Sequence, residues 1–72
     1  MAEIPFSVLE ESLNKRVIVS LVGRKEYRGM LMGFDKPHMN IVLKDAEETI
    51  GESTRKVNTA IIRGAFIMYV SP

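Results

Sequence analysis

Two short turns hold the residues of this sequence best suited to chemistry: Gly33-Phe34-Asp35-Lys36-Pro37-His38-Met39-Asn40, and Ile62-Arg63-Gly64. Each interrupts an apolar, strand-like stretch. An imidazole, a carboxamide, a carboxylate and a guanidinium suit hydrogen bonding and stacking on a flat ligand far better than they suit a core. Covalent chemistry finds less to work with. The chain has no cysteine and one histidine, so nucleophile–base pairs are sparse, and it contains no glycine-rich phosphate loop. Thiolate and multi-histidine metal sites are excluded by the same counts, and neither a cofactor nor a metal is expected. Asp45, Glu47, Glu48 and Glu52 lack the ligand order of a calcium loop and read as a solvated hairpin loop. The expectation is a binding subunit and not an enzyme.

Placing those turns requires the flanking elements. Pro5 to Glu10 carries a helix-start pattern in which Ser7 caps the first amides and Glu10 reaches back. Val8, Leu9 and Leu13 then share one side of a short helix that stops near Asn14. From Arg16 the period changes to two, with Val17, Val19 and Leu21 alternating against Ile18, Ser20 and Val22. That predicts a first strand ending at Gly23-Arg24. Glu26 to Phe34 reads as a long second strand, with Gly29 the point where the sheet curls and Met30 and Met32 as core filler. Met39 to Lys44 reads as a third strand, Asp45 to Thr54 as a polar loop, Arg55 to Ile62 as a fourth strand and Ala65 to Val70 as a fifth. The two residues Arg63-Gly64 suggest a tight hairpin between the last two. Tyr27 and Tyr69 read as packing at sheet margins, with base stacking as the alternative.

At 72 residues the chain is one domain, 1–72, whose core alone is marginal. Without disulfides or a metal, association with other chains is the remaining source of stability. The fifth strand points the same way. All six residues from Ala65 to Val70 are apolar, so both faces need cover, and a neighbouring chain pairing along that edge would supply it. No apolar run is long enough to span a bilayer and no signal peptide is seen, so a cytoplasmic protein without a membrane partner is expected. Net charge is only +1, modest for a nucleic-acid binder. The charge is nevertheless segregated: residues 14–28 carry five cations against Glu26, whereas residues 45–52 carry only carboxylates. Such blocks are solvated faces, or give an assembly one basic and one acidic side.

Together the helix, the five strands, the glycine-bent second strand and the two turns resemble the Sm and Sm-like family over residues 5–71. The first motif spans Val17 to Asp45 and is suited by Gly29, Gly33, Asp35, Met39 and Asn40; the second spans Val57 to Val70 around Ile62-Arg63-Gly64. Two residues, Lys36 and Pro37, separate Asp35 from His38 where one is usual, and Asn58 stands where glycine is common. The resemblance implies an all-β fold: a short N-terminal helix, then a strongly bent, five-stranded antiparallel open barrel of SH3-like form. It also implies rings of identical subunits, heptamers favoured over hexamers, in which the fourth strand of one copy pairs with the fifth of the next through Val57, Ile61, Phe66, Ile67, Met68 and Tyr69. Uridine-rich single-stranded RNA would bind near the pore. In that reading His38 stacks on the base, Asn40 reads its edge, Arg63 stacks on the other side, Asp35 orients Asn40, and Gly64 lets the backbone approach the nucleotide. Ile62-Arg63-Gly64 favours the archaeal and eukaryotic type, and the short chain favours an archaeal homo-oligomer acting as scaffold or chaperone in RNA processing. The competing reading is a small barrel that binds protein by strand addition, without RNA.

Overall fold

The computed structural model describes residues 5–72. Helix α1 spans Pro5–Glu11, followed by β1 (Arg16–Leu21), β2 (Lys25–Phe34), β3 (Ile41–Ile50), β4 (Ser53–Ile62), a 3-10 turn at Gly64–Phe66, and β5 (Ile67–Ser71). The strands form one antiparallel sheet in the order β4-β3-β2-β1-β5.

Leu9 is buried on α1, and Val8 and Leu13 are half-buried beside it, so the apolar side of the helix is the expected one. Its start is not. Ser7 is the third residue of the helix, exposed and inside its first turn, so the anticipated cap by Ser7 and Glu10 does not form. The hydroxyl with a structural role is that of Ser12, which donates to the Val8 carbonyl at 2.9 Å. Asn14 ends the turn with φ 67°, a conformation asparagine tolerates better than most residues. Its amide donates to the Leu31 carbonyl at 2.8 Å, and the Leu31 amide returns to Lys15 at 2.9 Å. These bonds lock the helix exit to β2.

The core is one cluster of Leu9, Val17, Val19, Leu31, Ile41, Leu43, Ala46, Ala60 and Ile62. On β2 the inward parity belongs to Gly29 and Leu31, which corrects the core assignment of the methionines: Met30 is half-buried and Met32 exposed. On β3, Ile41 and Leu43 point inward and then Ala46 and Glu48 do. That one-residue slip is a bulge. Arg28 pairs with Glu47 and Met30 with Lys44, so Asp45 and Ala46 together face Gly29, and Asp45 adopts φ 50°. Bulges bend a strand and increase its twist, and here the bend needs a missing side chain. A Cβ on Gly29 would lie 2.9 Å from the Ala46 Cβ and 3.0 Å from the Lys44 carbonyl oxygen. Gly29→Val is therefore expected to cost about 1–3 kcal/mol through overpacking, read as a lowered thermal unfolding midpoint.

Several boundaries depart from expectation: β3 begins at Ile41 and not at Met39, and β5 at Ile67 and not at Ala65. Asp45 to Thr54 is not a loop: β3 continues to Ile50 and β4 begins at Ser53, joined by Gly51-Glu52. Nor do β4 and β5 form a hairpin. After Ile62 the chain turns through Gly64–Phe66, and β5 pairs with β1, with Val19 opposite Val70 and Ile18 opposite Ser71. Both ends of the sheet thus present an outer edge with no strand partner among the described residues. Along them Ile61, Phe66, Met68 and Tyr69 stand 73%, 53%, 66% and 54% exposed, whereas Val57 and Ile67 are half-buried against the core. The charged blocks meet across β2 and β3, where Arg28 stands opposite Glu47. Among the described residues no helix is long and apolar enough to cross a membrane.

Candidate nucleic-acid interface

Asp35 leaves the end of β2, and its carboxylate organises the loop that follows. Oδ1 accepts from the backbone amides of His38 at 3.0 Å and Asn40 at 3.4 Å; Oδ2 accepts from Asn40 Nδ2 at 3.0 Å. Main-chain bonds close the same loop, from the Met39 amide to the Asp35 carbonyl at 2.9 Å and from the Asp35 amide to the Asn40 carbonyl at 3.1 Å. Met39 takes φ 57°. The five-residue turn thereby absorbs both Lys36 and Pro37 and still delivers Asn40 to the start of β3.

Asn40 carries the link to the second loop. Its Oδ1 accepts the Gly64 amide at 2.9 Å, so two segments 24 residues apart are joined through one carboxamide. Because a carboxylate can only accept and a backbone amide can only donate, the two partners fix which end of the amide is oxygen and which is nitrogen. One N–H and one lone pair of the carboxamide remain for a ligand. Gly64 is required by close approach: a Cβ there would fall 1.9 Å from the His38 carbonyl oxygen and 2.6 Å from the Met39 carbonyl carbon. The atoms it admits are those of the neighbouring loop backbone, a role the sequence did not suggest for it.

Arg63 follows β4 in extended conformation, φ −75° and ψ 124°, immediately before the 3-10 turn. It is exposed, as is His38, and the ion pairs among the described residues are Arg28–Glu26 and Arg55–Glu48. Arg63 belongs to neither. The structure therefore brings the five residues selected from the sequence to one place, with Asp35, Asn40 and Gly64 as a bonded frame and His38 and Arg63 as exposed planar groups on it.

The amide of His38, with those of Asn40 behind it, holds the Asp35 carboxyl below its ordinary range. A group whose folded pKa is depressed contributes fully above its unfolded value and loses that contribution as pH falls through the lowered one. The loop is thus expected to keep the His38 and Asn40 amides protected from neutral pH down into the ordinary aspartate range, and to open below it. Amide shifts followed through an acid titration check this; opening near neutrality would contradict it.

A second polar cluster was missed from the sequence because it depends on strand register. Tyr27 donates its hydroxyl to Glu48, and Arg55 Nε donates to the other carboxylate oxygen at 2.7 Å. The phenol, then the guanidinium, lower the Glu48 pKa, and the carboxylate in turn raises that of Tyr27. Tyr27 is thereby committed to the β2–β3–β4 sheet. Phe6 and Lys36, beside Asp35, were also given no part in the site.

A short helix on a bent five-stranded sheet, with two loops fastened together at the mouth of the core, defines a small-barrel binding protein. The family model described as LSM domain matches residues 7–72, and the chain belongs to that family. It is 52% identical to an Sm-like protein of Archaeoglobus fulgidus over 94% of this chain and 88% of the relative. Among solved structures it is similar to the Pyrococcus abyssii Sm protein in complex with a uridine heptamer, with 38% identity, a TM-score of 0.89, and 97% and 99% of the two chains covered. It is also similar to the P. aerophilum SmAP1 heptamer, at 36% identity and a TM-score of 0.89, covering 100% and 96%.

Proposed function

We propose that this chain assembles into a closed ring of identical subunits, seven favoured over six, that binds uridine-rich single-stranded RNA near its central pore. It acts as a cytoplasmic scaffold or chaperone in RNA processing, as a binder and not an enzyme. The 1–72 chain serves as a single domain throughout. Two similar proteins, one solved as a heptamer and one in complex with a uridine heptamer, support the assembly and the ligand class.

The observation that carries the reading is the locked Asn40 carboxamide. Single-stranded RNA is recognised by stacking its bases on planar side chains and bonding their exposed edges. Uracil offers an acceptor, O4, beside a donor, N3–H; cytosine offers the reverse order. For a base held one way round by its stack and its ribose, the free N–H and free lone pair of Asn40 match one order only, because turning the amide over would set Oδ1 against the Asp35 carboxylate and Nδ2 against the Gly64 amide. His38 and Arg63 then sandwich the base, the arginine combining a flat face with charge. Titration with oligouridine and oligocytidine tests this. Preference for oligouridine is expected. A well-formed oligomer that binds neither at low salt would favour a barrel that uses its edges for protein partners.

A further inference from the structure

We infer that Phe6 of α1 is a positioning residue for the loop that carries Asp35, His38 and Asn40, an inference that rests on the uridine-binding reading above. The Phe6 ring lies parallel to that of Phe34, with 3° between planes and 6.5 Å between centroids. The Lys36 ammonium sits 5.7 Å from the same ring centroid. These two partners immediately flank Asp35. One helical side chain therefore holds the residue before and the residue after the carboxylate on which the loop's hydrogen bonds converge.

The other stem of the loop meets the helix too. Met39 shares with Val8 and Leu9 the lining of an apolar concavity of about 340 Å³. Helix α1 thus lies against both stems, and it is a firm support because its far end is fastened to β2 by the Asn14–Leu31 and Leu31–Lys15 bonds. A loop on a rigid element presents its ligand-binding groups with less to order on binding. Aromatic pairs favour offset, parallel or edge-on geometry, and a cation over a ring adds attraction. The stack fixes where Asp35 stands. Without it the loop keeps its internal bonds and the Asn40–Gly64 link but loses the helix contact on both sides of Asp35, leaving more to order when a base binds.

The test measures oligouridine affinity on assembled rings of four proteins: the parent chain, Phe6→Ala, Phe6→Tyr and Leu13→Ala. Leu13 lies in the turn that follows α1 and packs on the core, so its truncation reports general loss of packing around the helix exit. Phe6→Ala is expected to weaken binding about fivefold to tenfold, the aromatic and cation contacts being of that order. Phe6→Tyr should retain parent affinity, and so should Leu13→Ala despite its lower melting temperature. Parent-like affinity in Phe6→Ala, or an equal loss in Leu13→Ala, overturns the positioning role and leaves uridine binding standing. If Phe6→Ala does not fold, Phe6→Leu, which keeps apolar bulk without a flat ring, is judged by the same criteria. Failure of the parent ring to bind oligouridine would remove both readings together.

Discussion

Rings in which Arg63 is replaced by alanine are expected to bind oligouridine at least about a hundredfold more weakly than the parent, with ring size unchanged. A stacked base contributes about 1–3 kcal/mol, and about 1.4 kcal/mol is a factor of ten. The substitution is repeated in every subunit, and a strand engaged by several pockets multiplies the loss. Arg63 is exposed and outside both ion pairs, so its removal deprives the fold of nothing visible. Arg63→Lys keeps the charge and should still lose most of the affinity, because an ammonium cannot stack as a plane. Asn40→Ala should weaken binding comparably for a different reason: it deletes the edge-reading amide and leaves the Gly64 amide and Asp35 Oδ2 without their partner. Unchanged affinity in Arg63→Ala, measured by fluorescence anisotropy with oligouridine, would show the pocket assignment to be wrong.

The second large effect concerns assembly. Met68→Glu is expected to leave a folded chain that no longer forms rings. Met68 is 66% exposed in the isolated subunit and lies on β5, whose outer edge has no strand partner among the described residues. Burying an uncompensated carboxylate between subunits costs several kcal/mol, and the cost recurs at every junction. Phe66→Glu should behave alike, whereas a charge at Ile67 would damage folding as well, since that side chain packs on the core. Light scattering and circular dichroism distinguish the cases. Intact rings in Met68→Glu would place the contact between copies elsewhere.

How much of this was legible in the sequence varied with how local the cause was. Alternation revealed β1, and Gly29 marked the bend in β2, because a side chain there has no room opposite Ala46. The outer half of the β3–β4 hairpin was hidden. Its strands are written in charged residues that pair across the sheet, Glu47 with Lys56 and Glu48 with Arg55, and opposite charges facing each other stabilise strands that read as a polar loop. The partner of β5 was misjudged because adjacency in sequence favours a hairpin, whereas Ile67 and Val70 are half-buried only by folding across to β1. The Met30–Met32 error was one of parity, with Leu31 taking the inward place.

In the site, Asp35, His38, Asn40, Arg63 and Gly64 were identified through family resemblance. No spacing rule could have shown that Asn40 reaches Gly64, or that Gly64 must be glycine to clear His38 and Met39. Phe6 lay further still from notice. Its stack on Phe34 joins residues far apart in sequence, which no local pattern shows.

Native mass spectrometry of the purified protein, alone and with oligouridine at low salt, bears most directly on a ring with one base pocket per subunit. A closed particle of seven chains that takes up oligouridine and leaves oligocytidine free is expected. A lone folded chain at high concentration, or a closed ring indifferent to oligouridine, would contradict it.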